Sequence, residues 1–332
     1  MANFATSTAV TQTSSHTYTA DFRPSWCIGS VPHGGYVTST FQRAVALHFS
    51  TTLARQGQPH CITLHLSFLR RTEVGPALFT VTDVKLGART STVHVALTQS
   101  IDGAVRTEVV GYITHSNLAR EQGISADTRW GLHPPPPPAD VRALAHGSDE
   151  RWKEQEGMPF GEFRKASMNV RFFFPREGQA VSHCADEWLT LRTTGDDGRP
   201  ERFTNDSLGF VADMFPQLLE LPAYAWGSKG LQSGKTATAE AEGRKAGAKY
   251  WYPTLLLNLD VKKLLPAGGV EFLFVRVRAK GLKNGRYDLE VVVLDDGGDV
   301  VALSHHVCLA VSAERNLAVR KRGEQKPATG KL

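Results

Sequence analysis

Cysteine is scarce in the 332 residues: Cys27, Cys61, Cys184 and Cys308 stand far apart, and no two form a C-x-x-C pair. A zinc ribbon and a disulfide scaffold are therefore not expected, and a chain of this length buries a core without such staples. No stretch approaches the roughly 18 uninterrupted apolar residues of a membrane span. The Ser/Thr-rich start, residues 1–15, lacks the basic flank and apolar run of an export signal. These absences predict a soluble, cytoplasmic protein with no membrane span. A large excess of charge is missing too: Lys+Arg 38 against Asp+Glu 33 leaves a net +5. Most of that surplus sits in residues 313–332, a basic tail that reads as a solvated terminus. Without an aromatic-and-basic motif in the body, no nucleic-acid partner is expected.

Several catalytic signatures are also missing. There is no G-x-S-x-G elbow, which argues against an α/β-hydrolase serine. GLQSGKT at Gly230 to Thr236 imitates a phosphate loop, but its glycines are one residue too close and no strand precedes it. His183 and Cys184 are neighbours whose side chains would diverge on a strand, so they make a poor thiol–imidazole pair.

What the chain does have is an internal repeat, seen when residues 60–115 are laid over residues 251–307. Ile62, Leu64, Leu66 and Phe68 alternate with Cys61, Thr63, His65 and Ser67, the period-two pattern of a strand. Leu255, Leu257, Leu259 and Val261 repeat that pattern, which sets Thr63 against Thr254. ALFTVTDVKL then matches VEFLFVRVRA, and STVHVALT matches RYDLEVVVL, with Gly or Asn-Gly turns between strands. One helical segment precedes each strand run: GGYVTSTFQRAVALHFSTTLAR in the first half and DSLGFVADMFPQLLEL in the second. The second has a single apolar stripe, and Pro216 should kink or shorten it. The first is apolar over a wider arc, as expected of an enclosed helix. Further strands are expected at HTYTADF, SMNVRFFF and DEWLTLR.

The division that follows is an N-terminal unit over 14–116, a Pro-rich linker over 117–165, a C-terminal unit over 166–312 and the basic tail. Pro134 to Pro138 should hold the linker stiff and extended. Residues 227–249, rich in Gly, Ala, Lys and Ser, read as a loop or lid between helix and strand.

One helix with several antiparallel strands, present twice, resembles the α+β double-hotdog fold of the TesB-like acyl-CoA thioesterases. The resemblance covers most of the chain. It rests on W-x-x-x-x-x-x-H-G-G at Trp26 to Gly35, the SFLRR strand end, LGFVAD at Leu208 to Asp213, PTL at Pro253 to Leu255 and DVVALSHH at Asp299 to His306. In that family an Asp on the second helix, a Thr or Ser heading the next strand and a Gln on the last strand hold the attacking water. The matching positions here are Asp213, Thr254 and His306, with His in place of the family's Gln. Single-hotdog relatives pair HGG with an acidic residue nine positions after its His. Here that position is Gln42, while Asp213 has no HGG before it. The resemblance thus implies one composite site per chain, with amide donors from one half and a carboxylate from the other.

The implied activity is hydrolysis of an acyl-CoA, or of an acyl group on a carrier protein, without metal or organic cofactor. Backbone N–H groups of Gly34 and Gly35 at a helix start would polarise the thioester carbonyl, unless HGG is only a turn that begins the helix. By the rule of about 100° per residue, Asp213 lies roughly opposite the apolar stripe, which by itself reads as a solvated carboxylate. Arg70, Arg71, Lys262 and Lys263 end equivalent strands, as coenzyme phosphate contacts or as solvated strand ends. A non-catalytic acyl-binding or assembly module is the alternative. A hotdog hydratase is disfavoured by the lack of a D-x-N-P-x-H motif. A homodimer is expected, to be read by light scattering. The ending Gly330-Lys331-Leu332 partly matches a peroxisomal address, so that compartment is the second choice to the cytoplasm.

Overall fold

The computed structural model describes residues 3–101, 103–181, 183–215 and 248–318. After a first helical turn, α1 (Phe4–Ser7), come β1 (Thr11–Gln12), β2 (Thr17–Phe22) and a small hairpin of β3 (Cys27–Ile28) and β4 (Val31–Pro32). The long helix α2 (Gly34–Ser50) is followed by β5 (His60–Phe68), β6 (Gly75–Lys85), β7 (Ser91–Ile101) and β8 (Ala104–Ser116). A short α3 (Val141–Ala145) leads through β9 (Trp152–Glu154), β10 (Val170–Pro175) and β11 (Cys184–Leu191) to α4 (Leu208–Ala212). Then come β12 (Tyr250–Trp251), β13 (Thr254–Val261), β14 (Leu273–Arg278), β15 (Leu282–Lys283), β16 (Arg286–Leu294), β17 (Val300–Leu309) and β18 (Val311–Ser312).

The sequence repeat becomes symmetry of strand order. The principal sheet has 14 strands and runs β1-β2-β6-β7-β8-β5-β13-β17-β16-β14-β11-β10-β9, with β15 on β16. Outward from the β5–β13 seam, β8, β7, β6 and β2 on one side answer β17, β16, β14 and β11 on the other. The two hotdog sheets thus join edge to edge, which removes two strand edges from solvent. Register at the seam follows from the period-two pattern: Leu66 faces Leu257 and Leu64 faces Leu259. All four are at most 1% exposed, and each contributes about 1.5–3 kcal/mol by burial. On the opposite face His65 Nδ1 meets Asn258 Oδ1 at 2.7 Å across the seam.

Inside the first half lies α2, with Val37, Phe41, Ala44 and Val45 fully buried. The expected second helix is described only as α4, preceded by a 3-10 turn over Asn205–Ser207. Its continuation from Pro216, and residues 227–247 of the expected loop, lie outside the described residues.

Residues 117–165 carry more packed structure than the sequence predicts. Asp140 caps α3, and β9 pairs with β10. Leu144 of α3 and Trp152 of β9 join Phe173, Trp188, Phe272 and Phe274 in a second apolar cluster on the outer face of the C-terminal sheet. The cause is in the strands beneath: every residue of β11 is buried, so both faces of this region need cover.

Candidate active site

The N-terminus of α2 is fixed by its aromatic surroundings. Trp26 is fully buried against Phe4, Tyr36 and Phe210, with ring centroids 5.1, 6.0 and 5.4 Å away. Its carbonyl accepts the His33 N–H at 3.0 Å, closing the β3–β4 hairpin. The spacing from Trp26 to His33 is therefore that of one tight hairpin, delivering HGG to the start of the helix.

Where α2 crosses α4, two glycines let the backbones touch. A Cβ on Gly35 would come within 2.9 Å of the Gly209 carbonyl oxygen and of Phe210 Cα, and one on Gly209 within 2.5 Å of Thr38 Cγ2. The same crossing caps α4: Gln42 Oε1 accepts the Gly209 N–H at 2.8 Å, and Ser39 Oγ accepts the Phe210 N–H at 2.9 Å. Gly209→Ala should therefore push the helices apart and cost about 1–3 kcal/mol by overpacking. Urea denaturation would measure it; an unchanged midpoint would mean that the crossing yields freely.

Asp213 ends α4 as its C-cap, pointing at the α2 terminus from the other half of the chain. It is 7% exposed, so the solvated position expected from the helical wheel is corrected: α2 covers that side of α4. One carboxylate oxygen, Oδ2, faces His33 Nε2 at 3.7 Å. The other, Oδ1, lies 3.4 Å from His306 Nδ1 and 3.5 Å from Thr254 Oγ1. Thr254 opens β13 at an irregularity in its pairing with β17. The structure thus brings Asp213, Thr254 and His306 together, and a Cβ on Gly34 would meet Asp213 Oδ2 at 2.7 Å. The Gly35 N–H is directed at the same carboxylate.

Hydrogen bonding fixes the tautomer of His306. Ser304 Oγ donates to the Asn258 carbonyl at 2.5 Å and lies 2.8 Å from His306 Nε2. The single hydroxyl proton is spent on the carbonyl, so Nε2 must carry hydrogen and donate to Ser304. In the neutral imidazole Nδ1 is then a bare acceptor. It is buried without a hydrogen-bond partner among the described residues and faces a carboxylate oxygen.

Burial pushes the Asp213 carboxyl up, but the positive charge that the His33 and His306 rings take on in acid, together with the Gly35 N–H, outweighs it and holds the carboxyl below the ordinary value of 3.8. Burial pushes His33 below 6.5, against the pull of Asp213, so near neutral pH its ring is uncharged. Cys308 Sγ lies 3.7 Å from Thr254 Oγ1, yet burial and then the Asp213 charge push its thiol up to about 12. It stays protonated and is no nucleophile.

Sequence reasoning missed His33 itself as the neighbour of Asp213, although HGG was in view. It also missed Ser304, which the period of two places on the face of His306. His305 points outward and is exposed, while His306 is fully buried. The four strand-end cations find partners within the chain. Arg70 donates to the Thr107 carbonyl, and Arg71 to those of Arg315, Asn316 and Ala318. Lys262 pairs with Asp260, and Lys263 with Asp295 and Asp299.

Comparison with known proteins agrees with this architecture. Residues 22–116 match the family model described as the acyl-CoA thioesterase N-terminal domain, and residues 133–310 match the acyl-CoA thioesterase C-terminal domain. The thioesterase-like protein TwmA of Talaromyces wortmannii is 35% identical over 345 aligned positions, covering 97% of this chain and 96% of the relative. Among solved structures, a hot dog fold protein of Alicyclobacillus acidocaldarius superposes with TM-score 0.64 at 14% identity, covering 94% of this chain and 99% of that one. The acyl-CoA thioesterase II TesB2 of Mycobacterium marinum gives TM-score 0.56 at 18% identity, covering 93% and 97%. These two likenesses carry the fold, a double hotdog. Family models and relative together carry the class of reaction: the chain belongs to the acyl-CoA thioesterase family and is a thioester hydrolase.

Proposed function

We propose that this enzyme hydrolyses an acyl-CoA, or an acyl group on a carrier protein, through a water held by Asp213, Thr254 and His306. The observation that carries this reading is the pair of facing acceptors, Asp213 Oδ1 and the His306 Nδ1 lone pair, 3.4 Å apart. Two acceptors repel unless a donor joins them. A water above the pair gives one hydrogen to each and can take a third hydrogen bond from Thr254 Oγ1. Its remaining lone pair is then free to attack.

The chemistry follows from these positions. As the water oxygen bonds to the thioester carbon, one of its protons passes to Asp213. Charge growing on the carbonyl oxygen meets the Gly34 N–H at the first turn of α2, which has no helical acceptor, while the neighbouring Gly35 N–H holds the Asp213 carboxylate in place. Collapse of the tetrahedral adduct breaks the C–S bond, and the proton on Asp213 returns to the leaving sulfur. Products are the free acid and the thiol. His33, uncharged, faces the second oxygen of Asp213 and helps to fix the carboxylate.

Two tests follow. His306→Gln restores a side chain able to hold water and should keep thiol release within about tenfold of the native rate. His306→Leu, close in volume but without an acceptor, should lose about 10²-fold or more. Equal rates in the two variants would remove His306 from the site. The pH profile is the second test. A depressed carboxyl stays ionised until pH falls through its own low value, so activity present above that value is lost only below it. The loss of thiol release that belongs to Asp213 itself should therefore lie below pH 3.8. Rates would be taken on protein whose activity returns on neutralisation. A limb between pH 3.8 and 6.5 that persists in His306→Gln would give the base role to His33 instead.

A further inference from the structure

The far end of α2 carries a second cluster, away from the thioester site. His48, in the last turn of the helix, is fully buried, and with His16 and Asp83 it forms a group whose ligand atoms all lie within 4.8 Å of one another. His16 comes from the turn between β1 and β2, and Asp83 from β6. At 1.5 Å per residue, α2 separates His48 from His33 by about 22 Å, so this cluster takes no part in the hydrolysis.

Its hydrogen bonding is directional. His48 Nδ1 lies 2.8 Å from the Tyr18 hydroxyl, and His16 Nδ1 lies 2.9 Å from Ser15 Oγ. With both Nδ1 atoms engaged by hydroxyls, both Nε2 atoms turn to one carboxylate. His48 Nε2 is 3.0 Å from Asp83 Oδ1, and His16 Nε2 is 3.4 Å from Oδ2. Imidazoles fixed through one nitrogen by an outer partner, with the other aimed inward beside a carboxylate, are how proteins hold divalent transition metals. In a tetrahedral zinc site with bonds near 2.1 Å, neighbouring ligand atoms stand about 3.4 Å apart. The distances to Asp83, 3.0 Å on Oδ1 and 3.4 Å on Oδ2, are near that length but end on separate oxygens, so an ion would draw the rings toward one of them. The third, between the two imidazoles, lies within 4.8 Å and would close by a small rotation of His16, whose side chain is 40% exposed.

We infer that His16, His48 and Asp83 form a binding site for a divalent transition metal of the zinc type, with the fourth position taken by water. The ion would clasp the β1–β2 turn and the end of α2 onto β6, three elements far apart in sequence. That separation is why no metal-binding spacing was visible in the chain. Without a metal a proton between His48 Nε2 and Asp83 Oδ1 holds the same groups together, while the Tyr18 hydroxyl, whose hydrogen goes to the Ser15 carbonyl, accepts from His48 Nδ1. The experiment below separates the two.

Native protein and His16→Ala are treated with EDTA, dialysed and titrated with Zn2+ against a chromophoric chelator, and both are melted with and without one equivalent of Zn2+. The native chain should bind one zinc and melt higher in its presence. His16→Ala should bind about tenfold or more weakly, lose the zinc-dependent rise in melting temperature, and release thiol from acyl-CoA at the native rate. Because His16 is half-exposed, its loss leaves the folded metal-free chain intact; equal melting temperatures of both proteins in EDTA would verify this. Equal zinc affinity in both proteins, or no binding by the native chain at micromolar Zn2+, would overturn the site and leave the proton as the link.

Discussion

Asp213→Asn should release thiol from acyl-CoA about 10²–10⁴-fold more slowly than the native enzyme, the range for loss of a positioned general base. The substitution keeps the size and one oxygen of the side chain, so the tight fit against Gly34 and Gly35 is preserved. What changes is the charge and the ability to accept a proton. In the native site the carboxylate is held ionised by its neighbours despite burial, so it is in the base form wherever the enzyme works. The neutral amide can orient a water but cannot take its proton, and the remaining acceptor, His306 Nδ1, faces an amide in place of an anion. The measurement is thiol release across short, medium, long and aromatic acyl-CoAs, native beside variant, with circular dichroism and a melting curve to show that the variant is folded. A native rate in Asp213→Asn would remove the carboxylate from the reaction and leave the His33 and His306 imidazoles as the described bases at the site.

Much of this arrangement was legible in the sequence, for reasons tied to particular residues. Strict alternation at Ile62 to Phe68 and again at Leu255 to Val261 reports one buried and one open face. Two such strands with the same sequel could pair only as equivalents, as β5 and β13 do. Asp213 was legible only through its family position, since the helix-wheel argument assumes that α4 has one partner and cannot foresee that α2 covers its other side. Gln42 was noticed as a non-acidic residue at an expected acidic position, and its actual work, accepting the Gly209 N–H, depends on the helix crossing. The cover over the outer sheet face was not legible from Pro134–Pro138, since a proline run reports a stiff extended segment and nothing of what the residues after it pack against. The signal lay elsewhere: runs such as FFF at 172–174 and FLFV at 272–275 are continuously apolar and do not alternate, which marks strands buried on both sides.

Under that cover Arg276→Met should destabilise the fold by about 3–5 kcal/mol, the cost of leaving one partner of a buried ion pair alone. Arg276 and Asp186 stand directly opposite each other on β14 and β11. Their two parallel bonds, Nε to Oδ1 at 2.5 Å and Nη2 to Oδ2 at 2.6 Å, join side chains only 4% and 5% exposed. The flanking residues on this face, Trp188 and Phe274, belong to the apolar cluster closed by Leu144 and Trp152, so water cannot take the guanidinium's place. The neighbouring Glu187 offers no relief. It points to the opposite face, its oxygens lack partners among the described residues, and burial, followed by the Asp186 charge, pushes its carboxyl well above the ordinary range. Asp186 is thus the carboxylate that needs the arginine. A domain stable by about 5–15 kcal/mol would lose a large share of its margin. Removing both charges, with Asp186→Leu added to Arg276→Met, should restore most of the loss, because a well-packed apolar pair replaces a buried ion pair at little cost. Urea midpoints of the two single variants and the double variant measure the coupling directly. A loss below about 1 kcal/mol in Arg276→Met would show that the linker cover opens to water. Thiol release per folded molecule should be unchanged throughout, since the pair steadies the sheet behind α4 and never meets the substrate.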